Sequence, residues 1–475
     1  MESKSHEFKA RSRMALEDMD LQQALAKLKT GFVVKRAEAV SALPEFEALK
    51  RDAQSIREHA LAHLDFYLEE FETNVRRNGG QVHWAATIED ARRIIVDICA
   101  KAKAERVTKG KSMIGEEIGV NDALQAAGVD VLETDLGEYI IQLAGEPPSH
   151  IIAPAIHKTK AQITELFYKH HAVYGKDQRV TEIEDIVNEA REVLREGFLN
   201  ADVGITGANF LVAESGSSII VTNEGNGDLT NTLPRVHVVT TGIDKVIPTL
   251  EDTSTLLRLL ARSATGQEMS VYTTYSSGPK RDGDLDGPEE YHVVLLDNGR
   301  SQMLGNEYHE MLRCIRCSAC MNHCPVYGAI GGHAYGWVYP GPMGSVLTPL
   351  MVGIERTAHL PNACTLNGRC EQVCPMGIPL PKLLRNLRKQ EYDENLTPQM
   401  TRWSLALWAF FCRRPKLYAL AARMGAKALQ LLATGRGRIR WLPLAGAWTD
   451  SRDIPAPQGE TFQQAWKRQQ EQGSS

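Results

Sequence analysis

The residues best placed to do chemistry are cysteines, and seven of the nine in the chain lie between Cys314 and Cys374. Cys314, Cys317, Cys320 and Cys324, followed by Pro325, have the C-x2-C-x2-C-x3-C-P spacing that binds cubane iron-sulfur clusters. A second run follows with Cys364, Cys370, Cys374 and Pro375. Three thiolates two residues apart can hold one corner of a cubane and leave its fourth iron to a cysteine from elsewhere. In two-cluster proteins the fourth cysteine of each run serves the other cluster. Cys314, Cys317, Cys320 and Cys374 are therefore expected to hold a first [4Fe-4S] cluster, while Cys324 joins Cys364 and Cys370 at a second. The prolines stop the chain from continuing as helix into the clusters.

The second run breaks the pattern, because Asn367 stands where another cysteine belongs. Three outcomes are open: a [3Fe-4S] cluster, a [4Fe-4S] cluster with one iron open to water or substrate, or one completed by an oxygen or nitrogen ligand. The first two are preferred. Structural zinc needs four ligands, commonly in two separated pairs, and fits three cysteines in one tight run poorly. Disulfides fit worse. His309, His323, His333 and His359 read as solvated or hydrogen-bonded side chains, and the isolated Cys99 and Cys412 as buried apolar residues.

The elements that must position these thiols are spread over 475 residues, enough for two or three domains. With 43% hydrophobic and 24% charged residues the chain can bury an ordinary core. Met1–Arg13 is polar, and no apolar run reaches the roughly 18 residues that cross a bilayer. The expectation is a cytoplasmic protein in a reducing compartment. Residues 1–80 read as a helical arm without chemistry of its own, with apolar spacing at Ala53, Ile56, Ala60, Leu61, Leu64, Leu68 and Phe71, ended by Gly79 and Gly80.

From 81 to 300 short apolar strands alternate with helices, which predicts an α/β domain on a mainly parallel sheet. Strands are expected at 82–85, 129–133, 150–153, 203–207, 210–213, 218–222, 236–241, 269–275 and 292–296. Helices are expected at 88–103, 116–127, 181–198 and 250–264. Residues 278–287, rich in Gly, Asp and Pro, predict a hairpin or surface excursion. Two glycine motifs fail as nucleotide signatures: Glu105 occupies the first glycine position of a P-loop ending at Gly110-Lys111-Ser112, and Thr230 the third of a dinucleotide fingerprint at Gly225. Both read as turns. Glu214 and Glu224, beside glycines at strand ends, could face a ligand in a crevice, although a solvated turn acid is the commoner fate.

Residues 301–395 then form the cluster region, closed by an apolar-faced helix over 378–390. Net charge is −5, yet nine Lys and Arg and no acid lie between Arg402 and Arg440. This basic, apolar region, 396–448, reads as a helical surface for a partner subunit, or for peripheral contact with the inner face of the membrane. No nucleic-acid motif accompanies it. Residues 449–475 are polar and read as a disordered tail.

Taken whole, the chain resembles the lactate utilization protein B family of bacterial iron-sulfur proteins. The residues that carry the resemblance are 203–217, 223–227, 233–237, 295–300, the first cysteine run, 331–336, 339–342 and 360–362. It implies that 81–300 is a LUD domain, similar in fold to sugar-isomerase and CoA-transferase-like α/β proteins, followed by a mostly helical, ferredoxin-like two-cluster domain. It further implies oxidation of L-lactate to pyruvate with two other subunits, one cysteine-rich. Many members carry cysteine at the position of Asn367 and a small residue at that of Cys364, so one ligand has moved by three residues.

The leading expectation is an electron-transfer subunit without an independent active site. Arg316 and Arg369, each beside a ligand cysteine, could raise a cluster's potential. One alternative makes the α/β domain itself a ligand-binding or catalytic unit, with Glu214 resembling a CoA-transferase nucleophile. Another keeps the clusters but changes the substrate to glycolate or glycerol phosphate. The electron acceptor is not readable from the sequence.

Overall fold

The computed structural model describes residues 3–433, 437–442, 446–449 and 452–473. Ten strands build two sheets: β1 (Gln81–Ala85), β2 (Arg106–Lys109), β3 (Asp130–Glu133), β4 (Val203–Gly207), β5 (Phe210–Val212), β6 (Ser217–Thr222), β7 (Val236–Gly242), β8 (Val246–Ile247), β9 (Tyr272–Ser276) and β10 (Glu290–Leu296). The larger sheet has the order β1-β10-β7-β4-β2-β3, and every pairing in it is parallel. All seven residues of β7 are buried, as expected of a central strand covered on both faces. The fold is α/β, as the alternation of strands and helices required. A smaller mixed sheet, β8-β5-β6-β9, packs beside it.

Chain order makes one position in the large sheet special. From β2 the chain moves outward to the edge strand β3, whereas from β4 it moves the other way to β7. The connections thus diverge between the neighbours β2 and β4 and open a crevice at their carboxyl ends. Close packing is needed beneath it: a Cβ on Gly204 of β4 would lie 1.8 Å from the Thr230 carbonyl oxygen.

Residues Met1–Glu391 form one compact unit and Tyr392–Ser475 a second. In the first, helical arm, α/β region and cluster region share a continuous core. Phe8, Leu25 and Phe46 of the arm belong to the same buried cluster as Phe210 and Leu256, and as Tyr339, Leu360 and Leu384 near the cysteines. Five helices, Phe8–Glu17, Met19–Thr30, Phe32–Ser41, Phe46–Ala62 and Leu64–Arg77, make up the arm. The Gly331-Gly332 turn fits against the α/β region so tightly that a Cβ on Gly332 would sit 1.8 Å from the Ser149 carbonyl oxygen.

Several expectations need correction. Residues 150–153 form no strand, because the buried His150 ring takes their backbone donors: Nδ1 accepts from Ile152 N and Ala153 N, both at 3.1 Å, and Nε2 donates to Asn322 Oδ1 at 2.8 Å. The helix expected over 116–127 is split into Met113–Ile118 and Val120–Ala126 by left-handed Gly119. The loop 278–287 joins strands of different sheets, so it is an excursion and not a hairpin. The polar tail carries a helix, Phe462–Gly473, started by Thr461 N donating to Gln464 Oε1 and braced by Phe462 stacked on Trp466 at 6.0 Å. Cys99 is buried as expected, but Cys412 is exposed, on a helix that buries none of its residues.

Burial pulls the pKa of His150 down to about 4, against the Asn322 bond that works to raise it. A depressed histidine contributes stability that is complete above its unfolded value near 6.5 and lost as pH falls toward the folded value. Between pH 7 and pH 5 this group should cost about 2 kcal/mol. Urea midpoints of wild type and His150→Gln at the two pH values check this: the variant should lose less, and equal losses would assign the acid sensitivity elsewhere.

Candidate iron-sulfur and crevice site

Cys317, Cys370 and Cys374 are buried, and Cys314, Cys320, Cys324 and Cys364 half-buried. The first run wraps because its backbone leaves the ordinary regions twice, at Arg316 (φ 59°) and Ser318 (φ 62°), on either side of Cys317. A single helical turn, Ala319–Asn322, then carries Cys320. As a result Cys314, Cys317 and Cys320 line one cavity together with Cys374 of the second run, among Ile151, Met321 and Ile378. Cys364 pushes up the pKa of both Cys324 and Cys370, and Cys324 that of Cys370, while Cys370 acts on Cys320 of the first run.

Burial drives the thiols upward, to about 12 at Cys317 and Cys370 and about 11 at Cys374. A metal must displace those protons, and buried soft sulfur donors in two sets fit iron-sulfur chemistry. Backbone donors already point at sulfur: Tyr327 N to Cys324 Sγ at 3.5 Å and Leu366 N to Cys364 Sγ at 3.3 Å. The Oδ1 of Asn367 is committed to the backbone, accepting from Arg369 N at 3.0 Å. His309 pairs with Glu58, and His323 and His333 bond to backbone carbonyls at 2.9 and 2.8 Å.

Three charged groups beside the cysteines were not legible in the sequence. Arg36, in the arm, is buried; it donates to the Val373 carbonyl at 2.8 Å and interacts with Cys317 and Cys374. Arg57, also in the arm, donates to the carbonyls of Val246 (2.8 Å), Leu312 (2.9 Å) and Asp244. The arm therefore brings two buried cations to the cluster region, against the expectation that it lacks chemistry. Lys245, held by Asp244, donates to the Cys314 carbonyl at 2.9 Å; burial pulls its pKa down to about 8, with Asp244 opposing. Nothing local in their helices marks these residues. Arg316 sits over the Tyr339 ring, 4.7 Å from its centroid, whereas Arg369 is exposed and reaches Gln372.

Behind the first cysteine run lies a buried ionic network. Arg300 grips Glu117 with both terminal nitrogens, at 3.1 and 2.7 Å, and Asp244 with Nε at 3.1 Å. Tyr339 Oη donates to Glu117 Oε2 at 2.6 Å, tying the α/β region to the cluster region. Glu214 is exposed in the β5–β6 turn, and its Oε1 accepts from Leu250 N at 2.5 Å, at the start of the helix Leu250–Ala264. Glu224 is also an exposed turn acid, accepting from Asn223 N. Ser112, from the failed P-loop match, caps the helix that follows it.

Family models locate these features along the chain. The LUD domain matches residues 68–296, the 4Fe-4S dicluster domain 310–378, and the C-terminal part of lactate utilisation protein B 383–471. Lactate utilization protein B 1 of Bacillus mycoides is 42% identical over 97% of this chain and 96% of its own length. The chain belongs to the lactate utilization protein B family. Lactate utilization protein B of Lysinibacillus sphaericus is 41% identical over 100% of this chain and 99% of its own. The Escherichia coli protein described as an uncharacterized electron transport protein, YkgF, is 41% identical over 98% and 97%. In this lactate utilization protein B family member the four cysteines of the cavity fall within the dicluster match, and the strands β2 and β4 that flank the crevice within the LUD match.

Proposed function

We propose that this chain is an iron-sulfur electron-transfer subunit of lactate utilization, working in the oxidation of L-lactate to pyruvate with two other subunits, one of them cysteine-rich. Its relatives' names carry lactate utilization and electron transport. The observation that carries the reading is the gathering of seven thiols from two runs in one core, four of them lining one cavity. Cys314, Cys317, Cys320 and Cys374 would hold a [4Fe-4S] cluster. Cys324, Cys364 and Cys370 would hold a [3Fe-4S] cluster or a [4Fe-4S] cluster one ligand short, a reading favoured by the engagement of Asn367 Oδ1 elsewhere. Bound clusters supply one-electron steps, so the two electrons of a hydroxy acid can leave singly. Arg36, Arg57 and Lys245 contribute positive charge that favours the more negative reduced state, and backbone N–H groups aimed at sulfur act the same way.

Docking to partners is supported by the second unit. Its helices Gln399–Cys412 and Pro415–Leu432 bury no residue and expose Trp403, Leu407, Trp408, Leu420 and Met424 among basic side chains. No helix among the described residues is long and apolar enough to cross a membrane.

Iron and sulfide analysis of anaerobically purified protein, with EPR before and after dithionite, tests the reading. About seven to eight iron per chain is expected, and a three-iron signal in the oxidised protein would identify the three-thiolate set. Addition of L-lactate to the protein with its partner subunits should then reduce the clusters. Zinc without sulfide would sink the proposal, and reduction by glycolate or glycerol phosphate in place of lactate would move it to another substrate. If the α/β region were a CoA-transferase-like catalyst, Glu214 would be its nucleophile, but its bond to Leu250 N and its exposure favour a capping role. Glu214→Gln is accordingly expected to leave lactate-dependent growth and iron content unchanged; lost growth with intact clusters would restore the catalytic reading.

A further inference from the structure

The crevice between β2 and β4 holds a cavity of about 100 Å³. At roughly 30 Å³ per water in the liquid, it has room for three or four waters, or for one organic acid of about six heavy atoms. Its position is the one where parallel sheets with diverging connections bind ligands, outside the carboxyl ends of the strands. The lining includes Lys111 and Ser112 after β2, Gly207 at the end of β4 with Ala208 and Asn209 after it, and Ile315 and Arg316 of the first cysteine run. The cavity therefore adjoins the residues that surround Cys314.

The charges around it do not balance. Lys111, Lys245, Arg300 and Arg316 line the cavity, and the only carboxylate in the lining is Asp244. Two further carboxylates pair with these cations, Glu117 with Arg300 and Asp135 with Lys111. Among the described residues four cations meet three carboxylates, and the one without a carboxylate ion pair is Arg316. Its guanidinium sits over the Tyr339 ring, makes a 3.3 Å contact to Met343 Sδ and interacts electrostatically with Cys314 and Asp244 without an ion pair to either. Two more polar groups in the lining are unsatisfied. Asn209 uses its Oδ1 to hold Val221 N at 3.0 Å, which leaves Nδ2 without a partner among the described residues. Thr241 Oγ1 is buried and has none. Met113, Ile152, Ala208 and Val221 supply apolar lining. A larger cleft of about 450 Å³ shares Lys111, Ile152, Asn209 and Val221 with the cavity and adjoins it on the outer side.

We infer that this cavity is a binding site for a small carboxylate anion, a 2-hydroxy or 2-oxo acid of about three carbons, with Arg316 as its principal charge partner. A monoanion matches the one lining cation that has no carboxylate ion pair among the described residues. The spare amide of Asn209 suits a second oxygen on the neighbouring carbon, and the apolar lining suits a methyl group. The cavity by itself is too small for a nucleotide or CoA. The choice of hydroxy and oxo acids rests on the proposed role in lactate oxidation; the anion site itself does not.

Isothermal titration of the anaerobic, cluster-loaded full chain with L-lactate, pyruvate, acetate and sulfate tests the site. Saturable binding of lactate or pyruvate at one site per chain is expected, tighter than acetate or sulfate. Arg316→Gln should weaken it on the order of 10- to 100-fold, the loss of one charge-assisted contact. Val221→Phe narrows the cavity from residues outside the cysteine runs and should weaken binding by at least as much with iron content unchanged, so a disturbed cluster in Arg316→Gln does not decide the matter. Lactate and pyruvate failing to bind, or binding equally to wild type and Val221→Phe, would overturn the inference. Neither result touches the electron-transfer reading, which stands or falls on iron, sulfide and EPR.

Discussion

Replacing Cys374 with serine is expected to remove the cluster held mainly by the other cysteine run. Cys374 lies in the second run, but it lines the same cavity as Cys314, Cys317 and Cys320. In the proposed ligand scheme it supplies their fourth thiolate, and serine is a poor substitute for a soft sulfur donor. Iron should fall by about four per chain, and EPR should keep only the signal of the set formed by Cys324, Cys364 and Cys370. Cys370→Ser should give the reciprocal result. If Cys374→Ser spared the first cluster and lost the second, each run would serve its own cluster and the crossed assignment would be wrong.

The second large effect concerns stability. Arg300→Ala is expected to destabilise Met1–Glu391 by about 3–5 kcal/mol, because it strands buried charges. Arg300 is 1% exposed and Glu117 0%. Burial works to raise the carboxyl pKa of Glu117, yet Arg300 holds it below the ordinary range, and Asp244 is likewise held down by Lys245 and Arg300. Removing the guanidinium leaves Glu117 without its cation. Arg106→Ala, which breaks an exposed pair with Asp130, is the control, with an expected cost of at most about 1 kcal/mol. Urea unfolding of the two variants side by side checks the contrast. Similar midpoints would mean that the buried network is replaceable by water or by local rearrangement.

How much of this was legible in the sequence follows from the range of the interactions involved. The first cysteine run declares itself because its chemistry demands fixed local spacing. The parallel sheet declares itself through Val- and Ile-rich segments such as Val236–Thr241, which need only be apolar and β-branched. Strand β2 carries no such signal, since Arg106-Val-Thr-Lys109 reads as polar. Lys109 is nevertheless fully buried, paired with Glu116 at 2.7 Å and Glu133 at 2.9 Å, partners that only the folded chain brings to it. His150 misled for a related reason: an apolar stretch looks like a strand until one ring claims its backbone donors. Arg36 and Arg57 sit among many other charged residues on their helices, and no periodicity separates a cation beside a cluster from one in solvent. The crevice needed strand order, which sequence alone did not provide. Cys412 was expected to be buried by residue type, but its helix presents apolar side chains outward.

The sharing of one core by the arm and the cysteine runs constrains how the molecule can be made and divided. Arg36 and Arg57 are synthesised near the start of translation, yet their carbonyl partners at Val373 and Leu312 emerge only after most of the chain. Two guanidinium groups must therefore wait for acceptors, and the walls of the metal cavity cannot close on a nascent fragment. For the same reason residues 301–391 are not a portable ferredoxin: grafted onto another protein, they would bring the thiols without the apolar and cationic wall that the first sixty residues provide.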